Sequence, residues 1–439
     1  MTMRLSRRTE TLRARACVAG TRAALAVIAA LALVRCAPGL GRPTPARGPA
    51  AAAAHPYLVL VSFDAFRHDY LDRYHPPAFE RVAARGVRAT ALVPAFPSKT
   101  FPNHYTLATG LYPGHHGIVG NAFYDPRRDA WYRLADTTAV RDARWYGGEP
   151  IWATAERNGV KSGVFFWTGS EAAIGGVRPT YWARYDASVP NARRVDSAVA
   201  WLRLPAAARP HLVLLYFSDV DDTTHRYGPD TPHTANAVAS VDRALGRLLD
   251  SLAALPIRDS VNVVLVSDHG MAAVAPDHVI PVGDLLARGG VDTVGMRAGD
   301  NGPTLSLWFG GDSARIRAAH ALLARDVRHA RVYTRAETPA RWHVADDPRF
   351  GDLLLVADEG WVLTRRASDR APSAGVHGYD PALPDMQALF LAAGPGVRPL
   401  GTIPAFENVD VYPFLAAVLR LGAVPRVDGR PATLGAAVR

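Results

Sequence analysis

Acidic side chains follow three strongly apolar segments of the sequence, at the point where each segment ends. Asp64 follows YLVLVSF, Asp221 comes shortly after HLVLLYF, and Asp268 follows VNVVLVS. Ligands of open α/β sheets bind in the crevice outside the carboxyl ends of the strands, so these carboxylates should meet at one edge. Buried carboxylates repel one another unless a proton or a cation compensates them, and a divalent metal would do so.

Three histidines complete a set of metal ligands. His225 lies four residues after Asp221, His269 is adjacent to Asp268, and His377 precedes the apolar segment QALFLAA. Three aspartates and three histidines make two clusters of three, with the nitrogen and oxygen donors that zinc accepts. Such sites are permissive, so manganese or another divalent metal is the alternative to zinc. Any single aspartate here could be a helix cap or turn residue. The repeated occurrence of aspartate and histidine after apolar segments favours a metal site.

The segment AFPSKTFPNH contains a candidate nucleophile, Thr100. Pro102 fits the first turn of a helix that runs to Gly110, which places Thr100 at a helix N-terminus, where backbone N–H groups favour anions. Metal coordination is one of the few ways to activate a threonine hydroxyl near neutral pH. The alternative is that Thr100 only caps the helix. Lys99 could add positive potential at a phosphoryl group, or could be an ordinary surface lysine.

The segments that position these residues predict an α/β fold. Continuous hydrophobicity is typical of strands buried on both faces of a parallel sheet. Residues 236–255 have the spacing of a helix packed between strands. We predict a catalytic domain over 55–425, with a small α+β insertion at about 280–372 and a C-terminal tail at 426–439. The apolar segments are 57–63, 162–167, 211–217, 261–267 and 387–393.

The first part of the chain predicts export. Residues 1–50 hold nine arginines and one glutamate, and the rest of the chain holds 41 basic and 39 acidic residues. An arginine-rich start, a short apolar run and a series of alanines indicate a secretory leader and linker over 1–54, with a membrane anchor or lipoprotein site as the alternative. The two cysteines, Cys17 and Cys36, both lie in this segment, so cysteine catalysis is excluded from the body. The nearly neutral body also argues against nucleic-acid polymers as substrates.

Five longer motifs carry a family resemblance. SFDAFRHDYL, PAFPSKTFPNHYTLATGLYPGHHGIVGN, YFSDVDDTTHRYGP, VSDHGM and GVHGYDPALPDMQALFLAAGP occur in this order. Together they resemble the nucleotide pyrophosphatase/phosphodiesterase family of the alkaline phosphatase superfamily, over roughly residues 57–420. The resemblance implies an alkaline-phosphatase-like fold, with a mostly parallel central sheet flanked by helices. It also implies a two-zinc phosphodiesterase in which Thr100 is the nucleophile and forms a phosphothreonine intermediate.

The resemblance also implies a role for individual residues. One zinc would be held by Asp221, His225 and His377, and the other by Asp64, Asp268 and His269, with Thr100 beside the second metal. The family usually has glycine at the positions of Ala65 and Thr224 and proline at the position of Thr168. These departures remove no ligand, although Thr224 affects the segment that carries His225.

Three further residues match positions that contact the substrate in this family. Asn121 would donate to a phosphoryl oxygen through its side-chain amide, although an asparagine after glycine is often a turn residue. Phe101 and Tyr185 would stack on a nucleobase, with core packing as the alternative and Tyr181 as the competitor of Tyr185. Structural or surface roles are expected for His68, His104, His115, His116 and Trp182.

These assignments predict hydrolysis of nucleotide phosphodiester or pyrophosphate bonds by an exported, periplasmic or secreted enzyme. The substrate would be a small nucleotide or phosphodiester, and no membrane span is expected after removal of the leader. One alternative is a phosphomonoesterase or a phospholipid-headgroup phosphodiesterase with the same metals. Another is a non-catalytic nucleotide-binding or metal-binding module that keeps the fold.

Overall fold

The apolar segments form an eight-stranded central sheet in a computed structural model, which describes residues 55–300, 302–369 and 372–439. The strands are β1 (Tyr57–Phe63), β2 (Val87–Ala89), β3 (Ser162–Phe165), β4 (Tyr181–Ala183), β5 (Leu212–Phe217), β6 (Val261–Val266), β7 (Phe390–Ala393) and β8 (Gly401–Ile403). Their order across the sheet is β8-β2-β7-β6-β1-β5-β3-β4. The central position of β1 explains why all seven of its residues are buried.

All neighbouring strands are parallel except at β7, which runs antiparallel to β6 and β2. The predicted α/β fold with a mostly parallel sheet is therefore confirmed. The reversal of β7 follows from where the chain enters this strand, because Phe390 lies opposite Val266 at the end of β6. The loop that precedes β7, including His377, thus lies at the carboxyl edge of the parallel strands.

Helices cover both faces of the sheet. Leu58 and Leu60 of β1 pack in one hydrophobic cluster, and Val59 and Val61 pack in a second cluster on the other face, as the alternation of side chains along a strand requires. The four helices used below are α1 (Thr100–Thr109), α2 (Thr137–Arg141), α3 (Asp219–Tyr227) and α4 (Pro232–Ala253). α1 contributes to the first cluster and α4 to the second.

Shorter elements complete the fold. The other α-helices are Tyr70–Tyr74, Pro77–Ala83, Pro113–His116, Ile151–Arg157, Asn191–Leu202, Val282–Arg288, Ser313–Asp326, Val411–Val418 and Pro431–Gly435. Short 3-10 turns lie at Ala143–Trp145, Arg258–Ser260, Arg335–Glu337, Ala340–Trp342, Pro348–Phe350, Pro384–Met386 and Asn408–Asp410. Small two-stranded ladders are formed by Leu92–Val93, Ala122–Asp125, Ala130–Arg133, Ala272–Ala273, Val279–Pro281, Val362–Thr364, Gly375–Val376 and Phe406–Glu407. None of the helices within the described ranges has the length and apolar character that a membrane span requires.

A small α+β insertion packs beside the main sheet. Its antiparallel sheet has the order Arg297–Asp300, Thr304–Trp308, Leu353–Ala357 and Ala330–Thr334, and the helix Ser313–Asp326 packs on it. The hydrophobic cluster of the insertion also contains Val376 and Tyr379, which flank His377. The insertion therefore supports the segment that brings this histidine to the sheet edge.

The last residues of the chain pack on the same domain. Leu434 and Ala437 are buried in the first hydrophobic cluster, and Val438 bridges Val397. Residues 426–439, predicted to be a C-terminal tail, thus contribute buried side chains to the first hydrophobic cluster.

Candidate active site

The carboxyl edge of the central sheet carries every aspartate and histidine predicted to bind metal. Asp64 directly follows β1, and Asp268 and His269 follow β6. Asp221 and His225 lie one turn apart on α3, which follows β5. His377 directly follows the short strand Gly375–Val376. Side chains that are remote in sequence therefore meet because the strands before them are parallel neighbours.

The side chains of these six residues lie close enough to share metal ions. Donor atoms within 4.8 Å of one another form three overlapping groups: Asp221–His225–His377, Asp64–Asp221–His269 and Asp64–His104–Asp268. Asp221 Oδ1 lies 3.4 Å from His225 Nε2 and 3.7 Å from His377 Nε2. His269 Nε2 lies 3.5 Å from Asp64 Oδ1 and 3.0 Å from Asp268 Oδ2. These groups form a candidate metal-binding cluster.

The imidazole rings are held with Nε2 facing the cluster. The Nδ1 atoms of His225, His377 and His269 each lie at hydrogen-bond distance from a backbone carbonyl oxygen. The acceptors are Gly375 O at 2.8 Å, Ser98 O at 2.8 Å and Gly270 O at 2.9 Å. A metal-binding histidine usually donates its other ring N–H in this way, which sets the tautomer. This arrangement leaves each Nε2 available as a ligand.

Three buried carboxylate oxygens in the cluster lack a hydrogen-bond donor in the described part of the chain. Among the described residues Asp64 Oδ1, Asp221 Oδ1 and Asp268 Oδ2 accept no hydrogen bond, since each imidazole within 3.0–3.7 Å of them directs its Nδ1–H to a backbone carbonyl. Orphaned buried carboxylate oxygens are costly unless a cation or proton compensates them. The donor set and these unsatisfied atoms therefore fit a divalent metal site, with carboxylate and imidazole donors that zinc accepts.

Burial and mutual charge interactions shift the pKa values of the clustered side chains in opposite directions. Burial and the neighbouring charges of Asp268 and Asp221 raise the pKa of Asp64 well above its usual range. Burial alone would also raise the pKa of Asp268, but the adjacent His269 and His104 hold it well below its usual value. Burial and the nearby His269 lower the pKa of His377, which keeps this ligand neutral. Opposite shifts in neighbouring carboxyls are typical of functional sites.

Thr100 is the first residue of α1, in agreement with the prediction from Pro102 and Gly110, and Gly110 ends the helix with a left-handed backbone. The Thr100 Oγ1 atom lies 3.2 Å from His269 Nε2, inside the cluster. The loop before α1 is held by the buried Asn103, whose amide donates to the carbonyls of Pro97 and Lys99 at 2.9 Å. The nucleophile candidate is thus fixed by a helix start and a side-chain clamp.

Asn121 faces Thr100 across the helix N-terminus. Its Oδ1 accepts a hydrogen bond from the backbone N–H of Phe101 at 3.0 Å. This bond assigns the amide orientation and leaves Nδ2 as a donor in the cavity that both residues line. The structure therefore places Thr100 and the side-chain amide of Asn121 in the lining of the same cavity.

A cavity of about 320 Å³ extends from the metal ligands to an aromatic wall. Phe101 and Tyr185 both line it, and the Tyr185 ring is 48% exposed. Tyr181 instead donates its hydroxyl to Ala208 O and stacks on Trp201, outside the cavity lining. The structure thus places Tyr185, and not Tyr181, where a ligand could stack.

Lys99 lies behind the site and does not line the cavity. It is 8% exposed, and a side chain added at Gly378 would meet its Cε at 2.3 Å. Its charge helps to lower the pKa of His377. Lys99 is therefore a buried neighbour of His377 and not an exposed surface lysine, and its contribution to the potential at a phosphoryl group stays a prediction.

Two residues that support the site are not among the site residues predicted from the sequence. His104 accepts from Ser62 Oγ at Nε2, and its Nδ1 lies 3.0 Å from Thr100 O and 3.2 Å from Asp268 Oδ2. Tyr216 donates its hydroxyl to Asp64 Oδ2 at 2.6 Å. His104 lies one turn after Thr100 on α1, a spacing that could have indicated a shared face.

A buried arginine joins the loops behind the metal ligands. Arg67 is 4% exposed and pairs with Asp69 at 2.7 Å, Asp230 at 3.1 Å and Asp385 at 3.0 Å. These aspartates lie after β1, after α3 and before β7. Three loops that carry or follow ligands are therefore tied to one guanidinium.

The departures from the family pattern are accommodated in different ways. Thr224 lies within α3, is fully buried, and donates its hydroxyl to Asp221 O at 3.2 Å, so the helix needs no glycine there. Ala65 adopts a left-handed backbone with φ of 56°, and its N–H donates to Asp268 Oδ1 at 3.3 Å. This conformation costs about 1 kcal/mol or more for a residue with a Cβ. Thr168 lines the cavity without helping to hold any ligand.

Comparison with known proteins identifies the family. A family model described as type I phosphodiesterase / nucleotide pyrophosphatase matches residues 58–380. The chain belongs to this family. The match includes every predicted metal ligand and Thr100, and it supports the alkaline-phosphatase-like fold expected from the motifs.

Similar proteins include enzymes of venom and of vertebrate tissues. The chain is 33% identical over 395 residues to the venom phosphodiesterase CdcPDE of Crotalus durissus collilineatus, covering 86% of this chain and 46% of that protein. It is 35% identical over 371 residues to bis(5'-adenosyl)-triphosphatase enpp4 of Xenopus laevis, covering 84% and 79%. The chain therefore spans about half the length of the venom relatives and most of the Xenopus relative.

Solved structures of family members have the same fold. Human ectonucleotide pyrophosphatase/phosphodiesterase 5 superposes with a TM-score of 0.81 at 32% identity, covering 87% of this chain and 99% of that chain. An inactive threonine-to-alanine variant of the murine protein, in complex with AMP, superposes with a TM-score of 0.80 at 33% identity. That comparison covers 88% of this chain and all of the murine chain.

Proposed function

We propose that this protein hydrolyses phosphodiester or pyrophosphate bonds of nucleotides through a covalent phosphothreonine at a two-zinc centre. One observation carries the proposal: the Thr100 hydroxyl lies 3.2 Å from a histidine of the six-residue ligand cluster, at the inner end of an aromatic-walled cavity. Asp221, His225 and His377 would hold one zinc, and Asp64, Asp268 and His269 the other. Manganese is the alternative metal.

The proposed hydrolysis has two steps, formation and then hydrolysis of the phosphothreonine. The bound metals would lower the pKa of a coordinated hydroxyl and stabilise negative charge on phosphate oxygens. Thr100 Oγ1 attacks phosphorus in line, the bond to the leaving group breaks, and Thr100 becomes phosphorylated. Asn121 Nδ2 donates to a non-bridging oxygen, where charge develops. Water then attacks phosphorus, which releases the nucleoside monophosphate and restores the Thr100 hydroxyl.

The substrate side of the cavity supports a nucleotide. A base that stacks on Tyr185 would contact the wall formed by Phe101, and stacking of this kind tolerates different bases. The murine relative solved with AMP was made inactive by replacing a threonine, which supports a threonine nucleophile here. The names of the venom and Xenopus relatives support the same substrate class.

The same-superfamily alternatives are less well supported. A phosphate monoester carries more charge than a diester, so a monoesterase should have additional cations beside the phosphoryl group. The cationic side chains that line the cavity, Arg141 and Arg184, lie beside Glu171 and Tyr185, and Lys99 is outside the lining. A non-catalytic module would need neither Thr100 in the cluster nor a free Asn121 amide.

A three-substrate assay tests the function. We expect faster turnover of a thymidine 5'-phosphate aryl ester than of bis(p-nitrophenyl) phosphate, and slow turnover of p-nitrophenyl phosphate. A preference for the monoester would overturn the assignment. Elemental analysis of the purified protein should find about two zinc ions per chain.

Replacing the nucleophile tests the covalent mechanism. Thr100→Ala should retain the bound zinc and lose activity by at least about three orders of magnitude, because the mechanism has no other nucleophile on the protein. Thr100→Ser keeps a hydroxyl and should retain measurable activity. Full activity in a zinc-loaded Thr100→Ala protein would refute the covalent intermediate.

We further propose that the mature protein is exported and that its catalytic domain spans residues 55–425 with the insertion described above. The predicted leader at 1–54 lies outside the described residues. Secretion of the relatives named as venom enzymes supports this proposal. Sequencing the N-terminus of the mature protein would locate the cleavage site.

A further inference from the structure

The end of the cavity that is remote from the ligand cluster carries two arginines on one carboxylate. Arg141 Nε donates to Glu171 Oε2 at 3.1 Å, and Arg184 Nε lies 4.0 Å from the same oxygen. The backbone N–H of Tyr185 donates to Glu171 Oε1 at 3.0 Å. All four residues line the cavity, and together their side chains carry one net positive charge.

This end of the cavity mainly offers hydrogen-bond donors. Both oxygens of Glu171 are engaged, and its side chain is only 11% exposed. The side chains of Arg141 and Arg184 are 32% and 64% exposed, and within the described part of the chain their Nη atoms have no hydrogen-bond partner. A guanidinium donates and never accepts, so a ligand group placed here must supply acceptors.

The position of this pair relative to Tyr185 indicates which part of a nucleotide it would meet. The Tyr185 ring lies 6.3 Å from the ring of Tyr216, whose hydroxyl is bonded to Asp64. The contacts therefore run from the ligand cluster through Tyr216 to Tyr185 and then to Glu171. With the phosphate at the cluster and the base on Tyr185, this series of contacts leads us to expect the outer edge of the base near the two arginines.

We propose that Arg141 and Arg184 select nucleobases with a keto group on this edge. This inference rests on the proposed nucleotide phosphodiesterase function. Guanine presents O6 and N7 as acceptors and uracil presents O4, whereas adenine and cytosine carry an amino donor at the equivalent position. An arginine can bind guanine O6 and N7 with two N–H groups, but it meets the amino group of adenine donor to donor.

The test compares a keto base with an amino base in two pairs of substrates, guanine with adenine and uracil with cytosine. The substrates are p-nitrophenyl esters of the 5'-monophosphates of guanosine, adenosine, uridine and cytidine, and the readout is the ratio of kcat/KM within each pair. We expect guanosine over adenosine and uridine over cytidine by about ten-fold, the size of a good arginine–base contact. Arg141→Ala should bring the ratio for guanosine over adenosine close to one. Arg141→Lys keeps the charge but loses the planar fork, and should retain only part of the preference.

A nearby arginine provides the control. Arg144 is 78% exposed, pairs with Asp142 and lies outside the cavity lining, so Arg144→Ala should leave both ratios unchanged. Arg184→Ala gives a second test on an exposed side chain whose only ion pair with the described residues is the long one to Glu171. It remains informative if removal of Arg141 prevents folding.

Several results would overturn the inference. These are equal rates on keto and amino bases, a preference for amino bases, or a keto preference that survives both alanine substitutions. Failure of the proposed function would look different, because none of the four nucleotide esters would be hydrolysed while p-nitrophenyl phosphate or bis(p-nitrophenyl) phosphate would be.

Discussion

Replacing Asp64 by asparagine should change the stability of the metal-free and metal-loaded protein in opposite directions. Asp64 is 1% exposed, and one of its carboxylate oxygens lies within 4.8 Å of a ligand atom of Asp268 and of Asp221. Asparagine has the same shape without the charge, and its side-chain oxygen can still accept from Tyr216. Without metal the substitution removes a repulsion, whereas with metal it removes a ligand.

The magnitude follows from the distances and the linkage relation. Two unit charges 4.8 Å apart repel by about 3.5 kcal/mol at an effective dielectric constant of ~20. The raised pKa of Asp64 lets the metal-free protein relieve this repulsion by binding a proton, which costs about 1.4 kcal/mol per pH unit between the ordinary pKa of 3.8 and the folded pKa. At pH 7 the free-energy cost of protonating Asp64 is therefore at most about 4 kcal/mol. We expect the metal-free variant to be about 2–4 kcal/mol more stable than the wild type at pH 7.

The pH dependence has a defined sign. The pKa of Asp64 in the folded protein is raised above its unfolded value, so the folded state binds this proton more tightly. The wild type therefore has no penalty below about pH 3.8, and the penalty grows with pH until the folded pKa is reached. The advantage of Asp64→Asn should be small near pH 4.5 and larger at pH 7.

Urea unfolding of chelator-treated protein between pH 4.5 and 8, followed by tryptophan fluorescence, measures this difference. Adding zinc should stabilise the wild type much more than the variant, because binding to the folded state adds free energy in proportion to the logarithm of zinc over Kd. Asp242→Asn is the control, since Asp242 is buried and accepts from the backbone of Ala78 and Phe79 away from the site. Its effect should not depend on zinc. The reasoning fails if metal-free Asp64→Asn is less stable than the wild type at pH 7, or if zinc stabilises both proteins equally.

Two further substitutions test how the ligands are held. Tyr216→Phe removes a buried charge-assisted hydrogen bond and should weaken zinc binding roughly ten-fold to hundred-fold in a chelator competition. The control Tyr181→Phe should lose only about 1 kcal/mol of stability, and equal zinc affinity in both variants would contradict the positioning role. Gly375→Ala places a Cβ 2.3 Å from Thr224 O, so it should displace α3 and leave less than two zinc ions per chain by elemental analysis, whereas Gly435→Ala meets no atom within 4 Å and should keep both. A fully zinc-loaded, fully active Gly375→Ala protein would show that the close approach is dispensable.

The strands and the start of α1 could be predicted because their signals are local. Continuous apolar segments indicate strands buried on both faces. Proline favours the first turn of a helix and glycine favours its left-handed end, so Pro102 and Gly110 indicate the start and the end of α1. The direction of β7 has no such local signal. The direction of β7 depends on the edge of the central sheet at which the chain enters this strand, and the loop before β7 determines that edge.

The aspartates and histidines of the site could be named from the sequence because each one ends a recognisable strand or lies in a family motif. Their mutual distances, and the buried oxygens that lack partners, appear only in the tertiary structure. The contact of His104 with Asp268 and the burial of Lys99 also depend on packing between segments that are far apart in the chain. A residue type and its neighbours in sequence do not specify which side chain it will face.

The amino-acid sequence by itself determined the family, the α/β class and the order of the residues that can bind metal. Each of these depends on local composition or on short motifs, which can be identified without knowing which segments are in contact. Only the tertiary structure decided that Tyr216 supports Asp64 and that Arg141 lies on Glu171 beside Tyr185. Such contacts join different strands and helices, and their geometry is set by how the two faces of the sheet are packed.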